Sequence, residues 1–401
     1  MFELIRANQR RAALLVVAMA ALLAAVGFAV GEVLAPGNGG VDGLATGLLL
    51  WVILGVVAYA SGDTIFLGLV GARKIEKKDH PVLWNVVEEM TIAAGLPKMP
   101  DVYIIDKDAL NAFATGRGPD RASIAVTSGL LEHLDRDELQ GVAAHELGHV
   151  KNRDILYLML LGAMAGAIII LADVGRRVLW YGPPRRRTSD KGSPLGAVIL
   201  IAAVLLIALA PLLAHLLQLA VSRRREYLAD ACGAQFTRYP EGLASALEKI
   251  GRYGGALKDV SRTVAPSFIS DPLAKASLDE TAVSWWGSTH PPLAERIRIL
   301  RAMAGMPGYA RYDEAFRTVT RRPVGVMPAS ALAEAPAAER GARLDPRTRA
   351  DRVRGATDAI WQVKDYAFVP CACGTTLKLP PAWAGRPVAC PHCGASHVAG
   401  A

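Results

Sequence analysis

Residues 141–154 read GVAAHELGHVKNRD and lead directly into an apolar run that begins at Ile155. In a helix, His145 and His149 lie four residues apart on one face, with their Cβ atoms about 5–6 Å apart. Two imidazoles so placed can bind one tetrahedral metal ion, and Glu146 beside them can take a proton from a metal-bound water. The HExxH pattern therefore predicts a zinc site; the alternative is a pair of surface histidines on an Ala-rich helix.

The start of this helix is also marked in the sequence. Asp135 and Glu138 form an Asp-x-x-Glu capping box immediately before the apolar positions Leu139 and Val142. We therefore expect a helix that begins at Asp135 and carries the HExxH residues toward the apolar run.

A second polar segment, SRRREYLADACGA at residues 222–234, offers a further ligand. A catalytic zinc needs a third protein ligand and one open position for water. Glu226 is predicted to supply a carboxylate oxygen, and Asp230, four residues on, to orient a ligand histidine. The alternative is a charged run that simply flanks a membrane segment.

Four apolar runs account for much of the chain's 52% hydrophobic content. Each is close to the ~20 residues that cross a bilayer, so they predict a multi-pass membrane protein. The first run is longer than a signal-peptide core and a second run follows it closely, which favours a retained anchor. The four runs are Ala12–Leu34, Ala45–Val70, Ile155–Ala172 and Leu195–Val221.

The basic residues around the first two runs predict the orientation in the membrane. Arginines precede the first run, residues 35–43 contain no Lys or Arg, and Arg73 and Lys74 follow the second run. The positive-inside rule then places the N-terminus and the segment after residue 73 in the cytoplasm, with the chain in the inner membrane. The arginine-rich residues 174–194 conflict with this rule. Either the hairpin at 155–221 spans the bilayer with this loop outside, or it is tilted, re-entrant or packed in protein; we favour the spanning form.

The formal net charge is +8, and the basic clusters lie beside the apolar runs. This placement predicts contact with anionic lipid head groups and disfavours a nucleic-acid partner.

Four of the five cysteines lie in the last 31 residues, as Cys371-x-Cys373 and Cys390-x-x-Cys393. Two such pairs separated by a β-like stretch resemble a zinc ribbon, in which four thiolates hold one structural zinc ion. The alternative is a redox-active or unliganded thiol cluster. The remaining cysteine, Cys232, is predicted to be a small core residue.

Four segments together resemble the HtpX-type membrane zinc metallopeptidases, which are relatives of the CAAX prenyl proteases. They are NAFATG (111–116), VAAHELGHVKNRD (142–154), SRRREYLADACG (222–233) and THPPLAERI (289–297), and the resemblance covers roughly residues 1–305. It implies a zincin-like fold, Glu226 as the third zinc ligand, a cytoplasmic active site and a role in quality control of membrane proteins.

The resemblance also implies roles for residues outside the ligand set. His290 would point at the zinc-bound oxyanion and Arg296 would hold a nearby carboxylate. Asn111, Ala112 and Phe113 would belong to an edge strand that pairs with a substrate backbone. The alternatives are a surface turn for His290 and an ordinary edge strand for NAFATG.

The fold class we expect is a mainly α membrane protein with a zincin-like α/β catalytic domain and a small β zinc ribbon. The predicted function is hydrolysis of peptide bonds in unfolded or membrane proteins by a zinc endopeptidase. The alternatives are a non-catalytic membrane scaffold that recruits an unknown partner through the ribbon, and a prenyl-protein processing protease. The expected units are two membrane helices (1–74), a zincin-like part (75–154), a membrane hairpin (155–221), a helical part (222–322), a flexible linker (323–360) and the ribbon (361–401).

Overall fold

The computed structural model describes residues 2–181, 194–253, 268–270, 290–303, 307–327, 329–332, 341 and 347–398. The helices in these residues are α1 (Phe2–Leu34), α2 (Gly39–Leu69), α3 (Pro81–Ala94), α4 (Ser128–His133), α5 (Arg136–Lys151), α6 (Ile155–Tyr181), α7 (Pro194–Thr237), α8 (Pro240–Tyr253), α9 (Leu293–Ala302), α10 (Tyr309–Thr320), α11 (Ala329–Leu332) and α12 (Arg349–Val363). The strands are β1 (Arg73–Lys74), β2 (Asp101–Ile105), β3 (Ala112–Gly118), β4 (Arg121–Thr127), β5 (Ala367–Pro370), β6 (Thr376–Leu379), β7 (Pro387–Ala389) and β8 (Ser396–Val398).

Four helical stretches are long and apolar enough to cross a membrane, as the sequence predicts. They carry many exposed apolar side chains, which a lipid environment would cover. The predicted arginine-rich loop falls largely on residues 182–193, which lie outside the described residues, so the choice between a spanning and a re-entrant hairpin stays open. The four stretches are Ala12–Leu34, Gly39–Leu69, Ile155–Tyr181 and Val198–Leu217.

A four-stranded sheet stands beside the helix that carries the HExxH residues. The strand order is β1-β2-β4-β3; β2 and β4 are parallel, and the other pairs are antiparallel. Strand β3, which contains most of NAFATG, therefore lies at an edge of the sheet and contacts α5. The position agrees with the expected edge strand.

Helix α5 begins as the sequence predicts and ends before the membrane. Asp135 is the N-cap, and its reciprocal hydrogen bonds with Glu138 form the predicted capping box. The helix ends at Lys151, and Arg153 adopts a left-handed φ of 57° before α6 begins at Ile155. The HExxH helix is therefore a separate element from the membrane helix that follows it.

Helix α7, in contrast, runs without a break from its membrane stretch through Glu226 to Thr237. The close approach of α5 to α7 depends on small residues. A Cβ atom added at Gly148 would lie 2.9 Å from the Cβ of Cys232. Cys232 is fully buried in this contact, which confirms its prediction as a small core residue.

The predicted flexible linker at residues 323–360 is wrong over its C-terminal part. Residues 349–363 form α12, which packs against α4 and buries Ala356, Ala359 and Ile360 in the same core as the sheet. The helix opens with a capping box between Thr348 and Asp351. Composition misled the prediction because Ala356, Ala359 and Ile360, spaced three and four residues apart, are enough to bury a narrow helical stripe.

The C-terminal tail consists of two antiparallel hairpins, β5–β6 and β7–β8. It rests on α12, because Lys378 pairs with Asp358 and stacks 4.6 Å from the ring centroid of Trp361. Helix α12 is in turn joined to the sheet side by an ion pair between Lys364 and Asp106.

Candidate active site

His145 and His149 from α5 meet Glu226 from α7 in the interior of the protein. His145 Nε2 lies 3.7 Å from Glu226 Oε2, and His149 Nε2 lies 3.5 Å from Glu226 Oε1. The nitrogens of the two histidines and the carboxylate oxygen lie within 4.8 Å of one another. The structure therefore brings together the three residues that the sequence singles out as ligands.

The spacing and the unmet polar atoms of this group fit a zinc ion. Zinc–ligand bonds of about 2.0–2.2 Å in a tetrahedron require donor atoms about 3.3–3.6 Å apart, close to the two distances observed. Within the described part of the chain, His145 Nε2 and Glu226 Oε2 are buried without a hydrogen-bond partner. Buried polar atoms are normally satisfied, so two such atoms 3.7 Å apart fit the role of ligands to one ion.

Two further carboxylates contact the Nδ1 atoms of the two histidines. Asp230 Oδ1 lies 2.9 Å from His145 Nδ1, as predicted, and Asp154 Oδ2 lies 3.4 Å from His149 Nδ1. Such contacts fix the tautomer and orientation of a ligating imidazole. Asp154 is not identified by the sequence pattern. This residue reaches His149 because α5 ends at Lys151 and the chain turns at Arg153.

Arg296 from α9 completes this arrangement. Its guanidinium binds Asp230 through Nε at 2.8 Å and Nη2 at 2.7 Å, and both side chains are fully buried. Burial alone would raise the pKa of Asp230, but the positive charge and hydrogen bonds of Arg296 and His145 outweigh it, and the pKa falls to about 2. Arg296 thus holds a carboxylate, as the family resemblance implies.

Glu146 lies beside the two histidines and is 1% exposed. Neither of its carboxylate oxygens has a hydrogen-bond partner among the described residues. Burial raises the pKa of Glu146 to about 7, against the opposing charge of His149. A carboxyl group whose pKa is near neutrality suits an exchange of protons with water.

The predicted edge strand and His290 both contact the segment Phe268–Ser270. Phe113 forms an antiparallel bridge with Phe268, and Ile269 donates its backbone N–H to the Ala112 carbonyl at 3.0 Å. His290 Nε2 donates to the Phe268 carbonyl oxygen at 2.6 Å. No role is predicted from the sequence for Phe268 or Ile269.

A cavity of about 480 Å³ lies between α2 and α6, and its lining is almost wholly apolar. Phe66, which lines this cavity, also contacts Phe113 of the edge strand, with the ring centroids 4.5 Å apart. Met159 lines the cavity and lies 3.0 Å from the Thr115 hydroxyl. Two residues that line this cavity therefore contact the edge strand.

The four tail cysteines form a second cluster. Their sulfur atoms lie within 4.8 Å of one another, with Cys371 and Cys393 3.4 Å apart and Cys373 and Cys390 3.7 Å apart. Each cysteine pair sits in a turn closed by a glycine at positive φ, Gly374 at 87° and Gly394 at 76°. None of the four forms a disulfide bond.

A metal-binding HExxH helix that meets a carboxylate from a membrane helix defines a membrane-bound zinc metallopeptidase. The family model described as "Peptidase family M48" matches residues 77–304 of this chain. The chain belongs to peptidase family M48 and is a membrane metalloprotease of the HtpX type.

Curated relatives and one solved structure are similar to the chain. The Protease HtpX homolog of Caldanaerobacter subterraneus subsp. tengcongensis is 42% identical over 303 residues, which are 76% of this chain and 98% of that protein. The Protease HtpX homolog of Tropheryma whipplei is 45% identical over 265 residues, 65% of this chain and 87% of that protein. The crystal structure of S. mikatae Ste24p matches with a TM-score of 0.38 and 19% identity, over 63% of this chain and 57% of that one.

Proposed function

We propose that His145, His149 and Glu226 hold the catalytic zinc and that Glu146 is the general base. The observation that carries this assignment is the convergence of unpartnered buried atoms of His145 and Glu226 on one point. When bound, zinc acidifies a water molecule and polarises the carbonyl of the peptide. Glu146 would take a proton from the attacking water as the water oxygen bonds to the carbonyl carbon, and would give that proton to the amide nitrogen as the C–N bond breaks.

The other residues position this chemistry. His290 donates a hydrogen bond to the carbonyl oxygen of the bond being cleaved, where negative charge develops. Asp230 and Asp154 orient His145 and His149, and Arg296 holds Asp230 in place. The backbone of Asn111, Ala112 and Phe113 offers an edge to which an extended peptide can add as a strand, which provides affinity without demanding one sequence.

We further propose that the enzyme cleaves unfolded or membrane proteins as part of quality control, at a site on the cytoplasmic face of the inner membrane. The apolar cavity between α2 and α6 supports this role, because Phe66, which lines it, also contacts Phe113 of the edge strand. The arginines before the apolar stretch Ala12–Leu34, together with Arg73 and Lys74 after α2, support a cytoplasmic site and contact with anionic lipids.

The cellular test compares cells that carry the intact enzyme with cells that carry Glu146→Gln, by mass spectrometry of new peptide termini. We expect the intact enzyme to generate termini within cytoplasmic segments of membrane proteins. Cleavage confined to prenylated C-terminal tails would support the prenyl-processing alternative instead. Cleavage on the outer side of the membrane would contradict the cytoplasmic orientation.

We also propose that the tail is a zinc ribbon with its own structural zinc ion. Zinc–sulfur bonds of about 2.3 Å require sulfur atoms about 3.8 Å apart in a tetrahedron, close to the 3.4 and 3.7 Å observed. Four thiolates fill the coordination sphere, so this zinc would stabilise the hairpins and take no part in hydrolysis. The ribbon, as a separate unit at the end of the chain, would recruit a further protein partner.

Purified full-length enzyme should contain two zinc ions per chain, whereas a chain that ends at Asp365 should contain one and still hydrolyse casein. This end point keeps α12, which packs on the core, and removes only the hairpins. Elemental analysis and casein hydrolysis check both values. The matched variant Cys373→Ser/Cys393→Ser should also contain one zinc. Equal zinc content in all three proteins would contradict the ribbon assignment.

A further inference from the structure

A short segment of the chain, Phe268–Ser270, lies where a peptide substrate would lie. It is buried and runs antiparallel to the edge strand β3, opposite Ala112 and Phe113. Ile269 donates its N–H to the Ala112 carbonyl at 3.0 Å, and the Asn111 side chain donates to the Ser270 carbonyl at 3.0 Å. The three residues predicted to pair with a substrate backbone thus pair with the protein itself.

The carbonyl groups of this segment are bound by residues of the active site. His290 Nε2 donates to the Phe268 carbonyl at 2.6 Å, and Arg296 Nη1 donates to the Ile269 carbonyl at 3.0 Å. The same Arg296 nitrogen lies 3.5 Å from Glu226 Oε2. Arg296 therefore lies between the Ile269 carbonyl and the proposed zinc ligand Glu226, and His290 binds the Phe268 carbonyl as it is proposed to bind that of a substrate.

The side chain of Phe268 also fits a formed subsite. Its ring contacts the rings of Phe113 at 4.9 Å and Phe66 at 6.0 Å between centroids, both in edge-to-face geometry. Such pairs favour an aromatic guest beyond the burial of its area. Because Phe66 lies at the end of α2 and lines the apolar cavity, this subsite also faces the membrane helices.

We propose that Phe268–Ser270 is an internal substrate mimic. It occupies the peptide groove, competes with peptide substrates, and displays the residues that the groove prefers: an aromatic residue before the bond to be cleaved and a branched aliphatic residue after it. This proposal rests on the proposed function, because it takes His290, Arg296 and the edge strand as the groove. A purely structural segment would make the same hydrogen bonds but would not exchange with a peptide.

The first test uses a synthetic peptide of residues 265–272, APSFISDP, and a scrambled peptide of the same composition. Full-length enzyme in detergent micelles hydrolyses labelled casein in the presence of each peptide. We expect APSFISDP to raise the KM for casein without changing kcat, at concentrations at least tenfold below those at which the scrambled peptide acts. Equal effects of the two peptides would overturn the proposal.

The second test weakens the internal mimic. Ile269→Pro removes the N–H that bonds to Ala112, whereas Ile269→Ala keeps this N–H and serves as the matched control. With zinc content unchanged, Ile269→Pro should lower the KM for casein several-fold relative to Ile269→Ala. A higher KM at equal zinc content would show that the segment builds the groove and would overturn the proposal. If Ile269→Pro does not fold, the peptide competition alone distinguishes a substrate mimic from a purely structural segment.

These experiments separate the inference from the proposed function. If the intact enzyme and Glu146→Gln hydrolyse casein equally, the assignment of the active site is wrong. If only the intact enzyme hydrolyses casein and APSFISDP does not compete selectively, the active site stands and the substrate mimic is wrong.

Discussion

Replacement of Glu146 by glutamine should reduce casein hydrolysis by about 10²–10⁴-fold, while the protein keeps its zinc. The amide has nearly the shape of the carboxylate but cannot accept a proton from water. The ligand atoms of His145, His149 and Glu226 are not altered by this change. Loss of turnover at full zinc occupancy would therefore isolate the role of the base from that of the metal.

Two other glutamates serve as controls for this variant. Glu88 pairs with Lys77 on the exposed surface, and Glu88→Gln should leave both turnover and zinc content unchanged. Glu226→Gln should lower zinc content itself, because an amide is a weaker ligand than a carboxylate. Near-native casein hydrolysis by Glu146→Gln would show that another residue is the base.

The active site could be predicted from sequence to the extent that helix geometry fixes it. His145 and His149 share a face because they are four residues apart on one helix, and Glu226 and Asp230 share a face on another. The capping box at Asp135 marked where the first helix starts. Membrane stretches could be located because length and apolar content alone define a segment that can span a bilayer.

The features that the sequence did not predict depend on contacts between distant residues. Asp154 reaches His149 only because the chain turns at Arg153, and no local pattern marks that turn as a support for a ligand. Phe268 meets Phe113 across more than 150 residues of intervening chain. The packing of α12 rests on alanines, which composition alone cannot distinguish from those of an unfolded linker.

The ion pair between Asp230 and Arg296 should be the most sensitive polar contact of the fold. Both side chains are fully buried, and two hydrogen bonds join them. Removal of one partner leaves the other charge buried without its partner, which costs about 3–5 kcal/mol. Asp230→Asn should therefore lower the free energy of unfolding by about this amount, and zinc affinity should fall by about 10–100-fold because His145 loses its orienting carboxylate.

The matched control lies on the same helix, α9, where Arg301 pairs with Glu241 at 2.9 Å on the surface. Glu241→Gln should lower the free energy of unfolding by less than about 1 kcal/mol, because solvent screens an exposed pair. Denaturant titration in detergent and zinc competition with a chelator measure both variants. The double variant Asp230→Asn/Arg296→Met should lose less stability than the two single variants combined, since it leaves no unpaired charge in the pair. Equal costs for Asp230→Asn and Glu241→Gln would show that the buried pair does not support the site.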